Sequence, residues 1–183
     1  MKPSRIPLVS VALVGTILFV AGCGQDQQSA ADAVREFYAW YARPAAEGGA
    51  ETRLDSALKA RSEFFSTSLR DALEADRAAQ AVVPDAIVGL DFDPLTASQD
   101  PCERYLPDSV AVAGERVRVT VREECREGPI RPIPLTLEML PVGGAWQVAD
   151  IVYRDGDRLT AILARYRASR EANVVRAPDD LSR

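Results

Sequence analysis

The sequence contains no histidine. That absence excludes a serine–histidine–aspartate triad, a cysteine–histidine pair and every histidine-ligated metal site. Lysine is scarce: Lys2 and Lys59 stand against 20 arginines. The arginines are interleaved with acidic residues, and 22 basic against 27 acidic side chains leave a net charge of −5 over 183 residues. A chain of that sign and pattern is not built to hold nucleic acid or another polyanion. Cysteine is limited to Cys23, Cys102 and Cys125, without a C-x-x-C spacing, which speaks against a redox-active pair. Internal repeats are absent.

The chain opens on a short basic segment, followed by an apolar run over about residues 6–20. That run is shorter than the roughly 20 residues a membrane span needs, and it reads as an export signal. It ends in Val20-Ala21-Gly22-Cys23, which resembles the lipobox of bacterial lipoproteins. The resemblance implies thioether lipidation of Cys23, cleavage before it and acylation, of palmitate type, of the new N-terminus. Three acyl chains at about 0.8 kcal/mol per buried CH₂ anchor a protein permanently. The alternative is a plain signal peptide that leaves a free cysteine. Gly24 follows where an aspartate would mark inner-membrane retention, so the expected location is the outer membrane, facing the periplasm. Cleavage removes Lys2 and Arg5, leaving 161 residues with 20 basic and 27 acidic side chains, a net charge of −7.

Export makes Cys102 and Cys125 disulfide candidates. Val110 and Val112 alternate with polar residues, as do Val117, Val119 and Val121. With Ala113-Gly114 as the turn, Val112 faces Glu115 and Cys102 faces Cys125, within bridging distance. Pro101 and Pro107 interrupt the first arm.

Residues 24–29 read as a short polar tether, and the folded domain as residues 30–170. Helical periodicity covers about residues 30–43, with Val34, Phe37, Tyr38 and Tyr41 on related faces. Further helices are expected over 51–60 and 66–80, the latter capped by Ser66. Ser62 opens a short turn holding Phe64 and Phe65. Strands are expected over 109–113, 115–124, 132–140 and 145–153, with a hairpin turn at Gly143-Gly144. In the last strand the apolar positions slip by one residue between Val148 and Ile151, the sign of a β-bulge. Asp157 is the expected cap of a final helix, and residues 171–183 read as a disordered tail. Helices followed by antiparallel strands make an α+β fold: N-terminal helices packed on a curved four-stranded antiparallel sheet, with a C-terminal helix.

Phe37-Tyr38-Ala39-Trp40-Tyr41, Asp91-Phe92-Asp93-Pro94 with Gln99-Asp100, and the run Trp146-Gln147-Val148-Ala149-Asp150-Ile151-Val152-Tyr153 together resemble the YbjP-like lipoproteins. These are small bacterial envelope proteins of unknown function. The resemblance implies a cystatin-like or NTF2-like cone of helices against a curved sheet, and it brings no activity with it.

Three sets of residues are candidates for chemistry or contact. Asp91, Asp93 and Asp100 have the spacing of carboxylate cation ligands but lack the glycine and closing glutamate of an EF-hand, and aspartates in irregular chain make Asx-turns. Tyr38, Trp40 and Tyr41 are either core or the lining of a pocket, with Trp40 pointing away from the face that Phe37 and Tyr41 share. Trp146 is expected in the core. In small NTF2-like enzymes a buried aspartate acts as base beside an oxyanion-holding tyrosine; Asp150 with Tyr153 and Tyr38 or Tyr41 are the residues that fit, against the alternative of a buried aspartate bonded to backbone. The expectation is a lipid-anchored binding or scaffold module without catalysis, cofactor or metal. Its partners are the membrane and another envelope protein. The alternative is a ligand carrier or acid–base enzyme with an NTF2-like cavity.

Overall fold

Alternating valines set the faces of the sheet. In β2 (Arg116–Glu124), Val117, Val119 and Val121 are buried, and in β3 (Leu135–Val142), Leu135, Leu137 and Met139 continue the same face, as a side-chain period of two requires. The computed structural model describes residues 22–43, 52–83, 87–98, 102–126 and 135–176. With β1 (Arg104–Ala113) and β4 (Ala145–Tyr153), the two strands form an open antiparallel sheet of order β1-β2-β3-β4. Among the described residues, three helices precede it, α1 (Gly22–Tyr41), α2 (Arg53–Ala60) and α3 (Thr67–Val82), and α4 (Leu159–Arg176) follows it. The fold is the expected α+β arrangement with a C-terminal helix.

Local signals account for the helix starts. Thr52 and Asp55 form a reciprocal capping box on α2. Ser66 caps α3 as expected, and its own N–H donates to the Val148 carbonyl at 2.8 Å, fastening the helix to β4. Between them, a single 3₁₀ turn (Ser62–Phe64) delivers Phe64 and Phe65 into the core. Phe64 stacks on Phe37 with ring centroids 3.9 Å apart, and Leu69, Leu73, Leu137, Met139 and Ile151 fill the space between helices and sheet.

Several boundaries differ from expectation. Residues 24–29, expected as a tether, are the opening turns of α1. β1 begins at Arg104 and runs through Pro107, which an edge strand tolerates because its outer side needs no partner. The β1–β2 turn is Gly114-Glu115, so Val112 pairs with Val117 and not with Glu115. A bulge at Asp108 then shifts the register by one residue. Cys102 and Cys125 therefore lie just beyond the last pair, Arg104 with Glu124, and still bond to each other with Cα atoms 4.7 Å apart. The β4 bulge is present where the apolar positions slip: Glu138 pairs with Asp150 and Met139 with Val148, leaving Ala149 as the extra residue. Helix α4 continues to Arg176, into the stretch expected as a disordered tail; residues 177–183 lie outside the described residues, as do 132–134 of the expected third strand.

The strands give the fold two ends. The turns at Gly114-Glu115 and Gly143-Gly144 share one end, where α1 also begins, with Ser29 accepting the Trp146 indole N–H at 2.8 Å. The opposite end holds the start of β1, the C-terminus of α1 and the loop at residues 91–98.

Candidate functional site

The 91–98 loop is held by three tyrosines. Asp93 builds its turn: its carboxylate accepts the Leu95 N–H at 2.9 Å and its carbonyl accepts the Ala97 N–H at 2.8 Å, the Asx-turn expected of an aspartate before proline. The Tyr41 hydroxyl donates to that carboxylate at 2.8 Å, Tyr38 donates to the Leu95 carbonyl at 2.6 Å and Tyr153 to the Pro94 carbonyl at 3.1 Å. Tyrosines 38 and 41 are one helical turn apart on α1, and Tyr153 ends β4, so two distant elements grip one loop.

Burial dominates the electrostatics there. It raises the Asp93 carboxyl above the usual carboxylate range, even though the Leu95 N–H, the Tyr41 hydroxyl and the Arg53 charge pull the other way. Burial, then the nearby Asp93 charge, hold Tyr38 and Tyr41 well above an ordinary phenol; Tyr153 is raised for the same reasons, and Tyr105 is pushed up by burial to about 12. The hydroxyls of Tyr38, Tyr41 and Tyr153 are hydrogen-bond donors at neutral pH, not bases.

A cleft of about 530 Å³ lies between this loop and the start of α2, lined by Thr52, Arg53, Leu54, Arg77, Leu90 and loop residues. Arg77, from α3, donates to Asp55 of α2 through two bonds of 2.7 and 2.8 Å. The Nη1 of Arg53 is buried and, among the described residues, has no hydrogen-bond partner.

Asp150 belongs to a different cluster. It is buried on the sheet face opposite the core, on one rung with Arg118 and Glu138. Its carboxylate accepts the N–H of Ile151, both the N–H and the hydroxyl of Thr160, and the Arg158 Nε–H. Glu138, 3% exposed, accepts from Arg116, Arg118 and Arg158. Burial alone would raise the Glu138 carboxyl; the bonds and charges of Arg158, Arg118 and Arg116 outweigh it and hold the group below its ordinary value. Asp150 also corrects an expectation, since it and not Asp157 caps α4. Asp157 instead pairs with Arg165 and offers its carbonyl to the Tyr153 N–H.

The structure thus brings together Tyr38, Tyr41, Asp93 and Tyr153 and separates Asp150 from them. Asp91 lies exposed on the same loop, and Asp100 lies outside the described residues. Trp40 faces away, half-buried under the Arg61 guanidinium at 5.5 Å. Trp146 is likewise only half-buried, at the sheet rim rather than in the core. The grouping of metal-ligand atoms found among the described residues, Cys102, Glu123 and Cys125, includes two sulfurs already bonded to each other. Sequence reasoning missed Glu138 and its arginines. The available signal was a lone acid inside the apolar run 135–140, facing the Arg-x-Arg of β2.

No family model matches the chain, and no curated protein matches it. Among solved structures, it is similar to a protein of unknown function from Bacteroides thetaiotaomicron VPI-5482, at 19% identity and a TM-score of 0.47. The match covers 70% of this chain and 92% of that one. A likeness of that size carries no argument about fold or function.

Proposed function

We propose that the protein is a lipid-anchored, periplasm-facing binding or scaffold module of the bacterial envelope, related to the YbjP-like lipoproteins and without catalysis of its own. The anchor rests on the Val20-Ala21-Gly22-Cys23 run behind an apolar leader. One observation carries the rest of the reading: the groups that base-and-oxyanion chemistry would draw on are already bonded to the protein. Asp150 caps a helix and binds an arginine, and the hydroxyls of Tyr38, Tyr41 and Tyr153 are spent on the 91–98 loop. Phe, Leu and Met side chains fill the space between the helices and the sheet.

Two experiments test it. Radiolabelled palmitate fed to expressing cells should label the wild type and not Cys23→Ser. Crosslinking in the native envelope, followed by affinity capture, should then recover one envelope protein at near-equal stoichiometry. Full function from a soluble, unanchored version would overturn the reading. A second reading, a small-ligand carrier, is favoured by the cleft beside Arg53; a thermal-shift screen of carboxylate and phosphate ligands on the soluble domain tests it, and a saturable shift lost in Arg53→Ala would favour it over the scaffold.

A further inference from the structure

The opening of α1 has a consequence for how the domain sits on a membrane, provided that Cys23 is lipidated as proposed. The helix is continuous from Gly22. Cys23 therefore stands six residues before Ser29, about 9 Å along the axis at 1.5 Å per residue. Ser29 is tied to Trp146 at the rim of the sheet. The acyl chains would join the fold through a short helical stalk, not a flexible tether, at the end that carries the two hairpin turns.

The chemistry of that end suits a lipid surface. The eight residues 139–146 (M-L-P-V-G-G-A-W) carry no charge. Val142 is 46% exposed at one hairpin and Val112 is 48% exposed at the other. Trp146, half-buried with its N–H bonded, has the amphipathic character of residues enriched at bilayer interfaces. The charges at the two turns are Glu115 and Arg116, of opposite sign, and α1 adds Asp26; beside Trp146, Asp32 pairs with Arg35, and Glu36 and Glu63 both face Arg61. A mature chain of net charge −7 is repelled by anionic lipid unless most of its acidic surface is turned away. Asp91, Asp93, Glu103 and Glu124 all lie toward the other end.

We propose that the tips bearing Val112 and Val142, with Trp146 behind them, rest on the bilayer that holds the Cys23 acyl chains, so that the α1 stalk fixes the orientation and the 91–98 loop faces outward. Two valines and a tryptophan are too few to bind alone. The lipid supplies the anchorage and the tips supply the orientation.

The two tryptophans make the test. Ser29 lies at the level of Trp146, and Trp40 is eleven residues further along α1, about 16 Å deeper into the protein. The full lipidated chain is reconstituted in vesicles of phosphatidylethanolamine and phosphatidylglycerol containing brominated acyl chains, which quench nearby indoles. In Trp40→Phe, most of the remaining emission, from Trp146, should be lost. In Trp146→Phe, the Trp40 emission should persist. In the wild type, combining Val112→Asp with Val142→Asp should abolish the quenched fraction while the protein still floats with the vesicles; this comparison stands even if a tryptophan variant fails to fold. Equal quenching of both tryptophans, or none in protein that floats, overturns the proposed orientation and leaves the anchor intact. A crosslink between the Val142 tips of two copies without quenching overturns it in favour of self-association. If intact Cys23 protein carries no acyl mass and does not float, the anchoring reading itself fails.

Discussion

The carboxylate of Asp150, on β4, accepts the main-chain N–H of Thr160 at 3.1 Å and its hydroxyl at 2.8 Å, so a strand residue caps the helix that starts nine residues later. The first N–H groups of a helix have no intrahelical acceptor, and a neighbouring carboxylate satisfies them as well as a local side chain does. The fold thereby couples the start of α4 to the β4 bulge, since the extra residue Ala149 sets Asp150 opposite Glu138 and away from the core.

Asp150→Ala should cost about 1–2 kcal/mol, the usual range for a lost N-cap. Urea denaturation would measure it. Amide exchange should show the loss concentrated at the first turn of α4. Asp150→Asn retains an acceptor for Thr160 and should cost less. An alanine variant with wild-type exchange at Thr160 would exclude the cap.

Glu138 is the hub of the adjoining cluster, but its three arginine partners are 39–50% exposed on their side chains and regain water when released. Glu138→Gln should therefore cost about 1–2 kcal/mol, less than breaking a fully buried pair. The sign with pH is fixed by the lowered folded-state value. Its contribution is complete above the ordinary glutamate range and is lost as pH falls through the folded value. Stability measured from neutral pH into acid should fall less steeply in the variant.

Asp93 should behave in the opposite sense. Its folded value is raised, chiefly by burial, so the folded state holds the proton more tightly than the unfolded chain. The contribution is present below the ordinary aspartate range and is lost as pH climbs through the raised value. Asp93→Asn keeps an acceptor for the Leu95 N–H and removes the ionisation. Between about pH 4 and neutrality the variant should lack the decline with rising pH that this group gives the wild type. Parallel profiles would show that Asp93 is charged in the fold at no cost.

What was legible in the sequence follows from locality. Alternating Val117, Val119 and Val121, the Ser66 cap, the Gly143-Gly144 turn and the slip between Val148 and Ile151 each depend on neighbours in the chain, and each was readable. The disulfide partners were readable too, although the register used to pair them was not. The turn sits one residue later than its glycine suggested, which displaces the hairpin register by two. The Asp108 bulge recovers one residue, and the unpaired strand ends absorb the other. The tyrosine grip on residues 91–98 and the arginines around Glu138 join positions 20 to 59 residues apart, and no local period reports such contacts. The helical start of α1 was missed because residues 25–29 have no apolar period, and their Asp and Ser favour turns over helix interiors.

Replacing Cys102 and Cys125 together by serine should lower stability by roughly 3 kcal/mol, the loop-entropy value for a closed segment of this length. The separation is 23 residues. The loss should equal that seen on reducing the wild type. A reduced wild type as stable as the oxidised one would show that the β1–β2 turn alone already constrains the unfolded segment.

Gly89 sets a final constraint. A Cβ there would overlap the Asp76 carboxylate. Asp76 is buried on α3, accepts the Leu90 N–H at 2.9 Å and binds Arg170 of α4 at 2.7 Å, while the same arginine nitrogen donates to the Val88 carbonyl at 2.8 Å. Close approach of the loop backbone thus lets one carboxylate join two helices. Gly89→Ala should push Asp76 off both partners and cost about 2–3 kcal/mol, combining overpacking with a weakened buried acceptor. The double variant with Asp76→Ala should cost little more than Asp76→Ala alone, because the clash and the network are lost together. Additive losses in the four denaturation midpoints would mean that the alanine meets something other than Asp76.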